Sequence, residues 1–245
     1  MENSCLVAAL RRYLALSERE KRLLDDVRMT DRPCVAGQAV ISQGSAISSV
    51  FVLREGFAIV RSQAMRGRSS IIRVYLPGEL IGLCELAFAV SPHAIQMQTD
   101  GMLCEIDRAS LAEAAAGSAR IASLLLGISS IEQVSLRDHC TALGLMTAEE
   151  RLIQFFLDLQ DRMGEDTIDG ASAKIHVPFS QSEIGEAVGM TPVYVNKLLR
   201  KLSAEGRITV ERPHVTLHNF RTMRAQTGFA SRNASMDTSW FPASA

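Results

Sequence analysis

The chain has 245 residues, 47% of them hydrophobic and 22% charged, with a formal net charge of −1. That length accommodates two domains with separate cores, and the composition excludes a wholly disordered chain. The five cysteines (Cys5, Cys34, Cys84, Cys104, Cys140) form no Cys-x-x-Cys pair, so no disulfide framework is expected and most of the thiols read as small packed hydrophobes.

The opening stretch MENSCLVAALRRYLALSERE places its arginines after its apolar patch, so it reads as no secretory signal, and a cytosolic protein is expected. Residues 6–28 carry leucines at helical spacing (Leu10, Leu14, Leu23, Leu24) and predict one or two amphipathic helices. From Arg32 to Ile106 the pattern changes to short β-rich runs, AVISQG, SVFVLREG, AIVRSQ, SIIRVYLPG and MLCEID, punctuated by glycine. Such punctuation suits tight turns between antiparallel strands, hence a rolled sheet or small barrel. The apolar run Leu80–Val90 is interrupted by Glu85 and falls short of the roughly 20 residues that cross a bilayer, so no membrane partner is expected.

Ser110 to Asp138 reads as helix, and Ile121, Leu124, Ile128, Ile131 and Ser135 follow the 3-4 repeat of a coiled-coil seam. The seam predicts a homodimer, with docking on the barrel as the alternative. Gly144 ends the pattern, and TAEERLIQFFLDLQDRM begins a new helix with Thr147 as its cap. An acidic loop near 164–170, a strand KIHVPF, a helical pair and a hairpin RITVERPHVTL follow, and the residues after Phe220 read as a flexible tail.

The helical pair, QSEIGEAVGMTPVYVNKLLRKL, meets the steric demands of a helix-turn-helix. Gly189 suits the left-handed turn, Gly185 permits a close crossing, Thr191 caps the second helix and Pro192 fits its first position. Burying Val195, Leu198 and Leu202 leaves Val193, Asn196, Lys197 and Arg200 outward as a DNA-reading face. Val193 suits a thymine methyl, Asn196 an adenine, and Lys197 a guanine or a phosphate. Thr191, Tyr194 and Arg200 are expected on phosphates, with Ser180, Gln181 and Ser182 beside them at the start of the first helix. Charge agrees: Lys174–Arg232 holds nine Lys/Arg against four Asp/Glu, a balance of +5, leaving 17 against 23, or −6, elsewhere.

The turn PGELIG (Pro77–Gly82), TAEERL (Thr147–Leu152) and IGEAVGMTPVYVNKLLRKL together resemble the Crp/Fnr superfamily of bacterial transcription regulators over nearly the whole chain. The resemblance implies an α+β chain: a jelly-roll-like, cyclic-nucleotide-binding-like β-roll over 1–118, a dimerisation helix and hinge over 119–143, a winged helix-turn-helix over 144–220, and a tail over 221–245. It also implies a dimer on a two-fold DNA operator, RNA polymerase as a partner, and an effector in the roll. The effector positions depart from the pattern. Where cyclic-nucleotide binders carry Glu and an Arg-Ser or Arg-Thr pair after Gly82, this chain has Leu83, His93 and Ala94. Losing those charge-assisted bonds, about 1.5–3 kcal/mol each, argues against cyclic AMP. Without a tight N-terminal cysteine cluster an iron-sulfur centre is not expected either, nor any other cofactor or metal. His93 reads as an exposed turn residue, with an anion contact or haem ligation as alternatives, and Cys140 beside His139 as a packed thiol, with a redox role as the alternative. The signal is therefore an unknown small-molecule or redox effector. The competing function is a ligand-binding module acting through a protein partner; no catalytic motif supports an enzyme.

Overall fold

The structure is a computed structural model that describes residues 4–63, 69–164, 167–168 and 171–243. It divides into two compact units, one of residues 1–62, 73–134 and 233–245, the other of 63–72 and 135–232.

The first unit begins with α1 (Cys5–Leu10) and α2 (Glu18–Asp25), the latter started by a capping box between Ser17 and Glu20. Eight strands follow: β1 (Met29–Cys34), β2 (Ala39–Ile41), β3 (Ser49–Glu55), β4 (Ala58–Gln63), β5 (Ser69–Tyr75), β6 (Leu80–Ile81), β7 (Ala94–Met97) and β8 (Gly101–Asp107). They form two four-stranded sheets of order β1-β8-β3-β6 and β2-β7-β4-β5. Short β6 and β7 lie between the expected runs, because pairing to β3 and to β2 and β4 organises segments too short to announce themselves. Asp107 caps α3 (Arg108–Gly117), accepting from the Ser110 amide at 2.8 Å, and the 27-residue α4 (Ala119–Leu145) comes next.

Val50 pairs with Ile106 and Val52 with Cys104 across β3 and β8, and this two-residue alternation puts all four side chains on one buried face. Leu6, Val7, Leu10, Leu24, Leu111, Ile121, Leu124 and Ile128 complete that hydrophobic cluster. The 3-4 repeat of α4 therefore docks on the chain's own core: Ile121, Leu124 and Ile128 are buried without any partner chain, and Ile131 and Ser135 are half-buried. Periodicity located the apolar face correctly, but the roll covers it. The helix also continues through Gly144 to Leu145, one residue beyond the expected break.

Two further expectations change. Cys5 and Cys104 are disulfide-bonded: α1 and β8 contribute to one hydrophobic cluster, and the two Cα atoms lie 6.6 Å apart, inside the range a disulfide spans. Phe241 is buried in the first unit's cluster and Met236 packs against it, so part of the expected flexible tail belongs to a core. A Cβ at Gly127 would lie 3.1 Å from Met236 Cε and 3.4 Å from Phe241 Cζ, which accounts for a glycine in mid-helix.

The second unit contains α5 (Ala148–Met163), β9 (Thr167–Ile168), β10 (Ser172–His176), α6 (Gln181–Val188), α7 (Pro192–Ala204), β11 (Ile208–Glu211), β12 (His214–Leu217) and α8 (Phe220–Thr227). Thr147 and Glu150 form the capping box that starts α5, and Leu152, Ile153, Phe156, Leu157 and Leu159 on that helix are buried. The sheet order is β11-β12-β10-β9. Residues 165–166 and 169–170 of the acidic loop lie outside the described residues. Helix α8 occupies the start of the stretch expected as tail, with Phe220 and Met223 buried.

Candidate nucleic-acid interface

Local chemistry fixes α6 and α7. The Ser180 amide donates to the Glu183 carboxylate at 2.8 Å and the Glu183 amide donates to Ser180 Oγ at 3.2 Å, so α6 starts on a complete capping box. It ends at Gly189, whose φ of 67° and ψ of 45° are left-handed. Gly185 has a different role: a Cβ there would collide with the Met190 carbonyl oxygen, which accepts no alternative position while Met190 donates its amide to Gly185 at 2.9 Å. Thr191 Oγ1 then accepts from the Tyr194 amide at 3.3 Å, and Pro192 opens α7.

Val195, Leu198, Leu199 and Leu202 are buried, which turns the opposite face of α7 to solvent. Val193 is 81% exposed and Tyr194 41%, and Lys197 and Arg200 are exposed as well. Gln181, Pro192, Val193, Asn196, Lys197 and Arg200 line an open hollow of about 480 Å³. The structure thus gathers six of the ten expected DNA contacts on one surface. Asn196 is only half exposed, and its side-chain amide donates to Gln181 Oε1 at 3.0 Å, a bond between two helices that spacing did not reveal. Ser180 and Thr191 hydroxyl oxygens accept helix amides, so their cap role accounts for them without DNA, while Ser182 and Tyr194 are exposed beside the hollow's residues in sequence.

Cations on the same helix differ in commitment. Lys197 Nζ stands 5.9 Å from the Tyr194 ring centre, in cation–π range, and neither it nor Arg200 pairs with a carboxylate among the described residues. Lys201 instead donates to Glu149 at 2.6 Å and Arg207 donates to the same carboxylate at 2.5 Å. Those two bonds hold the Glu149 carboxyl below its ordinary range. They fasten α5 to α7 and β11, so Lys201 and Arg207 are structural. The β11–β12 hairpin turns at Arg212 and Pro213, with Arg212 exposed. Beside it the His176 and His214 rings lie 5.3 Å apart, and burial together with the His214 charge pushes His176 down, toward the neutral imidazole.

In the first unit the four expected effector positions lie in different surroundings. Gly82 adopts a φ of +94°, Leu83 is buried in the hydrophobic cluster, His93 is exposed with its carbonyl accepting from Ser91 Oγ at 2.7 Å, and Ala94 starts β7. The polar groups that do collect lie elsewhere. Arg73 is 3.6 Å from Glu79 and 3.8 Å from Glu132, while the Cys84 thiol donates to Glu132 at 3.0 Å. Burial, reinforced by Glu132, pushes the Cys84 thiol up to about 12, so it stays protonated and unreactive. Burial raises the Glu85 carboxyl too, and its Oε2 is buried without a hydrogen bond. Residues 73, 84 and 132 are too far apart in sequence for any motif to have joined them. No group of three or more metal-ligand side chains occurs among the described residues, and no described helix is long and apolar enough to cross a membrane.

Residues 150–226 match the family of Crp-like helix-turn-helix domains, and residues 32–118 match the family of cyclic nucleotide-binding domains. The chain is 25% identical over 225 residues to the anaerobic regulatory protein of Haemophilus influenzae, covering 91% of this chain and 86% of that protein. It is 28% identical over 214 residues to the transcriptional activator protein FnrA of Stutzerimonas stutzeri, covering 87% and 86%. Among solved structures, FixK2 from Bradyrhizobium japonicum has a TM-score of 0.74 at 22% identity, covering 83% of this chain and 100% of that one; the likeness is one of fold.

Proposed function

Because the chain belongs to the Crp/Fnr superfamily of transcription regulators, which are not enzymes, we propose that it binds a two-fold DNA operator sequence-specifically, as a cytoplasmic homodimer, and controls transcription through RNA polymerase. The observation that carries this reading is the outward face of α7, where Val193, Lys197 and Arg200 stand exposed around one hollow at the start of a capped helix. A helix presented this way fits the major groove by its N-terminal end. The pairing surface is the exposed stripe of α4, Leu126, Leu136, Cys140 and Leu143, rather than the residues buried on the roll. Selection of bound duplexes from a random pool, followed by a salt titration, tests the reading. A palindromic consensus whose affinity falls with salt is expected; equal affinity for all duplexes, or none for any, would overturn it.

The roll answers an unidentified signal, small-molecule or redox, and takes no cyclic nucleotide in the usual manner. Leu83 in the core and Ala94 without a polar side chain support this reading. A ligand stabilises the state it binds by about 2.7 kcal/mol at 100 times its Kd. No thermal shift is therefore expected with millimolar cyclic AMP or cyclic GMP, and apo-protein should bind the selected duplex. A clear shift together with nucleotide-dependent DNA binding would reverse this conclusion.

A further inference from the structure

We infer that Gln181 and Asn196 form one composite reader that selects adenine over guanine at a position of each half-site, so that α6 as well as α7 contributes to specificity. This inference rests on the DNA-binding reading. Each carboxamide carries two N–H donors and one carbonyl acceptor. The Asn196 amide donates to Gln181 Oε1 at 3.0 Å, and both side chains line the hollow with Pro192, Val193, Lys197 and Arg200. Once that bond is made, Asn196 Oδ1 is left as an acceptor, and the Gln181 amide group and the second Asn196 N–H are left as donors. If the two amides exchange roles, the pair still presents a free carbonyl beside free N–H donors.

Adenine shows the matching pattern on its major-groove edge, an N7 acceptor beside an N6 donor. Guanine shows two acceptors, O6 and N7, so the free carbonyl of the pair would face an oxygen and lose its bond. Lone Asn196 would turn freely about its side-chain torsions; the bond to Gln181 fixes its plane before DNA arrives, which lowers the ordering cost of binding. Val193, 81% exposed on the preceding turn, supplies an apolar surface that suits the methyl of a neighbouring thymine. The operator half-site should therefore be A·T-rich where the start of α7 enters, with guanine confined to the reach of Lys197 or Arg200.

The experiment selects duplexes from a random pool with the parent, Gln181→Met, Gln181→Ala and Asn196→Ala, and measures relative affinity for the consensus and for duplexes altered at each position. The parent should prefer adenine over guanine at one position per half-site by roughly 5- to 150-fold. Gln181→Met keeps the length but removes the amide, and it should lower that ratio to about the Asn196→Ala value while leaving the other positions and the salt slope unchanged. Combining Gln181→Ala with Asn196→Ala should add little to either alone, as expected for two groups acting together. Circular dichroism melting like the parent's confirms that Gln181→Met is folded; if it is not, Asn196→Ala and Gln181→Ala give the same comparison. A parent consensus with an unchanged profile in Gln181→Met and Gln181→Ala, or with guanine at the contacted position, overturns the inference but leaves DNA reading intact. A parent that binds no duplex overturns both.

Discussion

On α7, Lys197 and Arg200 stand exposed and unpaired with any carboxylate among the described residues, whereas in the first unit Arg73 lies between Glu79 and Glu132, with Cys84 donating to the latter. The two regions use charge differently. Exposed cations retain their hydration and can exchange it for phosphates or bases, so their worth appears only on binding. Buried groups are desolvated already, and their cost is offset by one another within the fold. Binding defects and stability defects should therefore separate by region.

The largest expected effect is on stability in the first unit. Ile128→Asp should cost about 3–5 kcal/mol, because an unpaired carboxylate would sit in the hydrophobic cluster, and denaturant unfolding measures it. Leu126→Glu with Leu136→Glu changes exposed positions of the same helix; stability should stay within about 0.5 kcal/mol per site while sedimentation shows monomers. An intact dimer in the second variant would remove the exposed stripe from the pairing surface.

Glycines offer the next comparison. Gly185→Val in α6 should lose about 3 kcal/mol and specific DNA binding together, since the added carbons strike the Met190 backbone. Gly127→Ala in α4 should fall within about 1 kcal/mol of the parent, because it meets the movable end of Met236 and gains helix propensity. Thermal melts that rank the two in the opposite order would contradict the packing described.

On the reading face the cost should move to binding alone. Lys197→Ala is expected to weaken the selected duplex by about 1–3 kcal/mol if it reads a base, while Arg200→Ala should weaken all duplexes alike and reduce the salt slope by about 1. Unchanged binding of both would mean that another surface meets DNA.

Two carboxylates should give the smallest effects, with opposite signs. The folded-state pKa of Glu149 is lowered, first by Lys201, so its contribution is present above the unfolded carboxyl value and is lost as pH falls through the folded one. The folded-state pKa of Glu85 is raised by burial, so folding takes up a proton and stability declines as pH rises through the window above the unfolded value. Unfolding at neutral pH should show Glu85→Gln stabilising and Glu149→Gln destabilising. Equal signs would refute this assignment of their environments.

The helix-turn-helix was legible because its determinants act within a few residues: Gly189 turns, Thr191 caps, Pro192 opens α7, and the buried positions of α7 recur at helical spacing. The roll was legible as alternating runs between glycines. What escaped were relations set by tertiary packing. A 3-4 repeat in α4 shows which face is apolar, but the identity of its cover depends on β3, β8 and α1. Cys5 and Cys104 are 99 positions apart, and Arg73 of β5 meets Glu132 of α4 through packing that no local pattern encodes. The Gln181–Asn196 bond needs the crossing angle of two helices, although both residues were already expected on the DNA.

The seat of Phe241 has a consequence for synthesis. The cluster it completes contains Leu6 and Leu10 from the beginning of the chain and Ile128 from its middle. At about 5–20 residues per second on the ribosome, Phe241 follows Ile128 by on the order of ten seconds. During that interval the Gly127 notch stands open while residues 135–232 of the second unit are synthesised. The roll, although its strands are made first, therefore receives its last aromatic ring only after residues 135–232 of the second unit have been joined to the chain.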